Sequence, residues 1–213
     1  MLPERYRYII VEGPIGVGKT SLARKLAQLA NARLMLESPE DNPFLARFYE
    51  DRRRYALPTQ LSFLLSRYDQ VRELAQGDLF AGTTIADYML DKDTLFARMN
   101  LDEAEFRLYQ RLYADLKPHI PTPDLVIYLQ APASVLLERI RRRARGYERG
   151  IGEAYLTDLT RQYTEFFYHY DAAPLLIVNS EHINFADNDD DFRLVVNCIQ
   201  EMRGTREFFN RSQ

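Results

Sequence analysis

Short apolar runs alternate along this chain with longer stretches in which apolar residues recur every three or four positions. Residues 8–11, 32–36, 83–87, 125–129 and 174–178 have the length and apolar content of buried strands. Between them, helical spacing covers 21–30, where Leu22, Leu26 and Leu29 share a side, then 44–54 and 58–75. Gly77 is expected to close the last of these. Further helices are predicted over 102–117, 133–143, 153–170 and 192–202. Asp102 and Glu105 have capping-box spacing at the start of the first. The acidic stretch 188–191 reads as a solvated loop before the last helix. Five strands alternating with helices predict an α/β fold, a five-stranded parallel sheet flanked by helices, with its site at the strand C-terminal ends.

The junction after the first strand carries the clearest chemistry. Gly13-Pro14-Ile15-Gly16-Val17-Gly18-Lys19-Thr20 fits G-x-x-x-x-G-K-[ST] at every fixed position. It stands between a strand and a helix, the context that makes the pattern a phosphate-binding loop. Gly13, Gly16 and Gly18 let backbone N–H groups turn toward a polyphosphate, and the helix that continues through Ser21 adds partial positive charge. Lys19 is expected on the β- and γ-phosphates of ATP, and the Thr20 hydroxyl on Mg²⁺.

Charge sharpens this reading. A net charge of −3 argues against a nucleic-acid or anionic-membrane partner. No apolar run approaches transmembrane length, and the first residues do not resemble a signal peptide. Cys198 is the only cysteine, so no intrachain disulfide is available, and a cytoplasmic protein is expected. Nothing in the composition splits residues 1–213, which are read as a single domain.

Two predicted strands end in acids, Glu37 and Asp87. Asp87 suits a carboxylate for Mg²⁺, with a turn or cap aspartate as the alternative. Gln60 and Arg67 lie seven apart and share one helix face, as site or as surface. Arg139, Arg141, Arg142, Arg143 and Arg145 fall within seven residues and run into Gly146 and Gly150. In a chain that is not basic overall, residues of about 139–151 read as a mobile lid that grips an anion. The aromatic stripe over 153–170 is expected in the core or at a subunit interface. The three histidines lack metal-ligand spacing.

Together these motifs resemble the deoxyribonucleoside kinase family in its bacterial form. The likeness rests on the phosphate loop, on Glu37 at the second strand's end, and on Tyr49 followed eleven residues later by Gln60 and then by Arg67. It also rests on Asp93 six residues after Asp87, and on Arg139, Arg143, Arg145 and Glu148 in the lid. The family usually has an arginine directly after the strand-end acid; here that residue is Tyr88. The resemblance implies transfer of the γ-phosphoryl of ATP to the 5′-hydroxyl of a deoxyribonucleoside in a homodimeric enzyme. Glu37 would be the general base, with Lys19, Arg139, Arg143 and Arg145 catalytic. Tyr49 and Glu148 would hold the sugar 3′-hydroxyl, and Gln60, Arg67 and Asp93 the base edge. Asp87 is counted as both substrate contact and Mg²⁺ ligand. A mixed set of amide, guanidinium and carboxylate suits purines or cytosine above thymine. A nucleoside monophosphate kinase of the thymidylate type and a nucleotide-dependent regulatory module are the alternatives. An Asn-Lys-x-Asp string, expected of a guanine-specific switch, is absent.

Overall fold

The computed structural model describes residues 2–76, 82–116, 121–148 and 150–211. Among these residues, six strands form one sheet: β1 (Tyr8–Glu12), β2 (Arg33–Met35), β3 (Thr84–Ala86), β4 (Leu125–Gln130), β5 (Leu175–Asn179) and β6 (Arg206–Phe209). Their order is β2-β3-β1-β4-β5-β6, and every neighbouring pair is parallel. Parallel neighbours require long crossovers, and the helices supply them. Helix α1 (Lys19–Ala30) joins β1 to β2, and α2 (Leu45–Glu50) with α3 (Arg52–Gln76) leads to β3. Helices α4 (Asp93–Asn100) and α5 (Glu103–Leu116) precede β4, α6 (Ala133–Arg143) and α7 (Glu153–Tyr168) precede β5, and α8 (Asp189–Glu201) precedes β6.

The central strands are covered on both faces, which is why β1 and β4 read as unbroken apolar runs rather than alternating ones. Ile9 lies opposite both Ile85 and Leu125, locking three strands in register. Helix α1 buries Leu22 and Leu26, while Leu29 is partly exposed at its far end. The aromatic stripe of α7 belongs to the core: Phe167 stacks on Tyr128 at 4.1 Å between ring centroids. Tyr163 packs beside them and sends its hydroxyl to Glu12 at 3.1 Å.

Three expectations are corrected. Among the described residues the sheet has six strands, not five. β6 is a four-residue edge strand with exposed and half-buried residues in alternation, so its side chains carry little pattern. Pairing to β5 orders it, helped by Arg206, which donates to the carbonyls of Phe167 (3.0 Å) and Tyr170 (2.6 Å). The helix expected over 44–54 instead breaks at Asp51, whose carboxylate accepts the Arg54 N–H at 3.2 Å and starts α3 six residues earlier than predicted. Pro58 therefore lies inside α3 rather than at its start. The stretch 188–191 is not a loop but the capped first turn of α8. The Asn188 side chain accepts the N–H groups of Asp190 (2.9 Å) and Asp191 (3.3 Å), and acids are favourable at that end of a helix. Gly77, proposed to close α3, lies outside the described residues.

The predicted capping box is present. Asp102 accepts the N–H groups of Ala104 and Glu105, both at 2.9 Å, and Glu105 accepts the Asp102 N–H at 3.1 Å. Asp102→Ala removes the cap without touching the core. It is expected to cost about 1 kcal/mol, read as a lower denaturant midpoint at unchanged slope.

Candidate active site

The loop between β1 and α1 folds as its glycines dictate. Gly13 has φ +151°, and a Cβ there would sit 2.5 Å from the Leu129 carbonyl oxygen; Gly16 has φ +85° and would meet Leu136 and Ile140. Only glycine fits both positions. No side chain caps the N-terminus of α1, so its first N–H groups are available to an anion. The Lys19 ammonium curls back to the carbonyls of Gly13 (2.7 Å) and Pro14 (3.2 Å). Burial and the neighbouring Lys92 ammonium pull its pKa down to about 8.

Beside this loop, a row of charges, buried except for the half-buried Glu37, crosses the strand ends. Glu12, the last residue of β1, accepts the N–H groups of Gly13 (2.8 Å) and Met89 (3.0 Å) and pairs with Lys92 at 3.3 Å. Lys92 lies 4.0 Å from Glu37, which stands just past β2. Glu37 accepts from Arg67 of α3, through Nε at 2.7 Å and through Nη2. Arg67 also pairs with Asp93, whose other oxygen accepts the Tyr109 hydroxyl at 2.8 Å. Burial alone would raise the Glu37 pKa, but Arg67 and Lys92 outweigh it and hold the carboxyl at about 2. Asp87, after β3, accepts the Thr20 hydroxyl at 2.5 Å and the Glu37 N–H at 2.8 Å. Burial raises its pKa despite these bonds.

A cavity of about 280 Å³ opens over this row. Of the residues predicted for the site, it is lined by Gly16, Lys19, Thr20, Glu37, Tyr49, Gln60, Arg67, Asp87, Arg143, Arg145 and Glu148. Asp93 backs the wall through Arg67, and Gln60 donates to its carbonyl at 3.0 Å. Glu148 is buried and held by Arg143, with Nε at 3.1 Å. Burial and then nearby Tyr155 and Glu148 raise the Tyr49 phenol well above its usual range. Arg145 bonds the Tyr147 hydroxyl at 2.7 Å. Arg149, inside the predicted lid, lies outside the described residues.

Arg139 is placed apart from these groups. It donates to the Ser180 carbonyl at 2.6 Å and the Ser180 hydroxyl at 3.3 Å. It lines a second cavity on the outer side of the phosphate loop, with Gly18, Ser21, Arg142 and residues 181–186. Arg139 and Arg143 lie one helical turn apart on α6, so the two cavities share that helix.

Several site residues escaped the sequence reading. Lys92 stood between two aspartates in an unremarked turn. Glu12 was visible only as a charge ending an apolar strand. Phe63 places its ring 4.9 Å from the Arg67 guanidinium. The Thr59 hydroxyl is buried on the cavity wall and has no hydrogen-bond partner among the described residues. A buried hydroxyl left unpaired is rare and points to a polar occupant.

Among the described residues, no group of three or more histidine, cysteine, aspartate or glutamate side chains forms a metal site. The oxygen pair Thr20–Asp87 fits Mg²⁺, which favours one or two protein oxygens together with substrate phosphates. The phosphate loop, the strand-end acids and the acceptor-sized cavity define a phosphate-loop phosphotransferase.

A sequence profile described as Deoxynucleoside kinase matches residues 9–202. The deoxyguanosine kinase of Bacillus subtilis is 32% identical over 92% of this chain and 97% of its own. A deoxyadenosine kinase of Lactobacillus acidophilus is 28% identical over 91% and 94%. A solved deoxyadenosine kinase from M. mycoides superposes with a TM-score of 0.77 at 23% identity, covering 91% of this chain and 99% of that one. The chain belongs to the deoxynucleoside kinase family.

The low pKa of Lys19 predicts a pH effect on triphosphate binding. The anion favours protonated Lys19, and in the free protein that proton is lost as pH rises through about 8. Affinity for ATP is therefore expected to weaken steadily above pH 8 and to be flat below pH 7, measured by calorimetric titration.

Proposed function

We propose that this protein transfers the γ-phosphoryl of ATP to the 5′-hydroxyl of a deoxyribonucleoside with a purine or cytosine base. The observation that carries the reading is Glu37, a carboxylate kept ionised beside the phosphate loop at the mouth of a cavity walled by polar groups. Four of the six cations lining that cavity already face acids: Arg67 pairs with Glu37 and Asp93, Lys92 with Glu12, Arg143 with Glu148, and Arg145 with Glu40 at 4.0 Å. A phosphorylated acceptor needs uncommitted cations, whereas a neutral nucleoside needs paired donors and acceptors. This disfavours a thymidylate-type acceptor.

In the mechanism, Glu37 accepts a hydrogen bond from the 5′-hydroxyl. It takes the proton as the bond from the 5′-oxygen to the γ-phosphorus forms and the β,γ-bridging P–O bond breaks, with ADP as the leaving group. Lys19 leaves its carbonyl partners for the β- and γ-phosphate oxygens, joined by the backbone N–H groups at the start of α1. Arg143 and Arg145, at the end of α6 and in the turn that follows, stand over the transferring group. Thr20 and Asp87 would hold Mg²⁺, which supplies charge neutralisation at the phosphates. The second cavity supports a seat for the donor's nucleoside, with Arg139 bracing its wall.

Tyr49 and Glu148 suit the sugar 3′-hydroxyl, and Gln60, Arg67 and Asp93 the base edge, with Thr59 as a further polar group. Relatives named deoxyguanosine and deoxyadenosine kinase support a purine. Exposed Leu65 on α3 and Leu108 and Leu112 on α5 support a homodimer built on those helices. The lone cysteine fits a cytoplasmic setting. No described helix is long and apolar enough to cross a membrane.

An ATP-coupled assay across the four deoxynucleosides is expected to rank deoxyadenosine, deoxyguanosine or deoxycytidine first; a clear thymidine preference refutes the base assignment. Glu37→Gln is expected to lower kcat by about 10²–10⁴ while the nucleoside still binds. Near-normal turnover in that variant removes Glu37 as the base.

A further inference from the structure

Lys92 has no part in the mechanism above, yet it stands at its centre. Its side chain is 2% exposed, and it lines the acceptor cavity together with Glu37, Thr20 and Asp87. Lysine is rarely buried so deeply, because its ammonium gives up hydration that a protein seldom replaces. Here Glu12, fully buried, offers the compensating charge, with Lys92 Nζ 3.3 Å from Oε2 and 3.4 Å from Oε1. Those contacts are longer than the 2.7–2.9 Å usual for a tight charge-assisted bond. Glu12 is also served by the Gly13 and Met89 N–H groups and by the Tyr163 hydroxyl. The ammonium is thus anchored without being consumed, and it carries three protons for two carboxylates. Its second neighbour is Glu37 Oε2 at 4.0 Å, while Arg67 bonds Oε1. Glu37 is therefore flanked by cations of two different elements: Arg67 hydrogen-bonds one oxygen, and Lys92 lies 4.0 Å from the other, which stays free to accept.

The local chain explains the placement. Tyr88, directly after Asp87, turns its phenol to Gln70 at 2.5 Å and contributes no charge to the site. The chain then winds through residues 89–91 and brings two successive charges back: Lys92 toward Glu12 and Glu37, and Asp93 toward Arg67. Adjacent residues at the start of α4 thereby fix both cations that flank Glu37.

We infer that Lys92 is a positioning residue for phosphoryl transfer, anchored on Glu12 and orienting the free oxygen of Glu37 toward the acceptor hydroxyl. This rests on Glu37 being the acceptor-side carboxylate, a reading that the four-nucleoside assay and Glu37→Gln test separately.

The test uses the full chain. Lys92→Met combined with Glu12→Gln neutralises the pair together and leaves no unpaired buried charge; Lys92→Gln alone keeps Glu12. In the double variant, thermal unfolding and calorimetric affinity for the preferred deoxynucleoside are expected to stay close to those of the parent, while kcat falls about 100-fold, the usual consequence of a misplaced reacting group. Lys92→Arg is expected to recover part of that loss, since it restores a cation on Glu12. Unchanged kcat in the double variant overturns the inference, as does loss of nucleoside affinity in place of kcat. Failure of both Lys92→Gln and the double variant to fold also overturns it, making Lys92 a structural partner of Glu12. If the parent phosphorylates no deoxynucleoside, the functional reading fails instead.

Discussion

Five charges in a row, four of them buried and Glu37 half-buried, are tolerable only because their signs alternate. Glu12, Lys92, Glu37, Arg67 and Asp93 each touch an opposite charge, and the ends are closed by the hydroxyls of Tyr163 and Tyr109. Removing Lys92 would strip Glu12 of its cation and removing Arg67 would do the same to Asp93, a far larger loss than the net worth of either pair. Such a row contributes little to stability by comparison with apolar packing of the same volume. It fixes the direction in which each carboxylate and guanidinium points, and an acceptor pocket needs that more than it needs stability.

The sheet makes the row possible. In a parallel sheet every strand ends on the same side, so residues remote in sequence meet at one edge. Glu12, Glu37 and Asp87 leave β1, β2 and β3 side by side because β3 lies between β2 and β1. Arg67 arrives from mid-α3, and Lys92 and Asp93 from the turn into α4. The phosphate loop occupies the same edge, so an acceptor lying on the acids faces a donor lying on the loop. Helix α6 borders both cavities: Arg143 lines the two of them, and Arg139, one turn earlier, lines only the second. That shared border was invisible in a run that reads simply as basic.

The aromatic layer joins core to site. Tyr128, Phe167 and Tyr163 pack between β4 and α7 as apolar bulk, yet the Tyr163 hydroxyl emerges at Glu12. Tyr109 does the same for Asp93 from α5. Burial raises the pKa of both phenols, so they remain donors at any physiological pH. The network's outer bonds are therefore insensitive to pH, whereas Lys19 beside it is drawn down to about 8 by burial and by Lys92.

The strand runs, the phosphate loop, the capping box at Asp102 and the acids after β2 and β3 were legible because each is written in a few adjacent residues, whose backbone geometry or burial depends on local chemistry. The sixth strand was not, because an edge strand is ordered by a neighbour's hydrogen bonds rather than by its own side chains. The start of α3 was misplaced because Pro58 is a strong helix-start signal, while the real cap, Asp51, is one polar residue among several. Gln60 and Arg67 could be put on one helix face from their spacing, but that spacing said nothing about what the face meets. Whether Lys92 was surface or site depended on where Glu12 stood, eighty residues away, and electrostatic pairing over that separation is fixed only when the sheet brings strand ends together. By itself the chain determined its elements and its phosphate-binding chemistry; the partners of its buried charges were decided by tertiary structure, since a charge reveals its role only through what replaces its water.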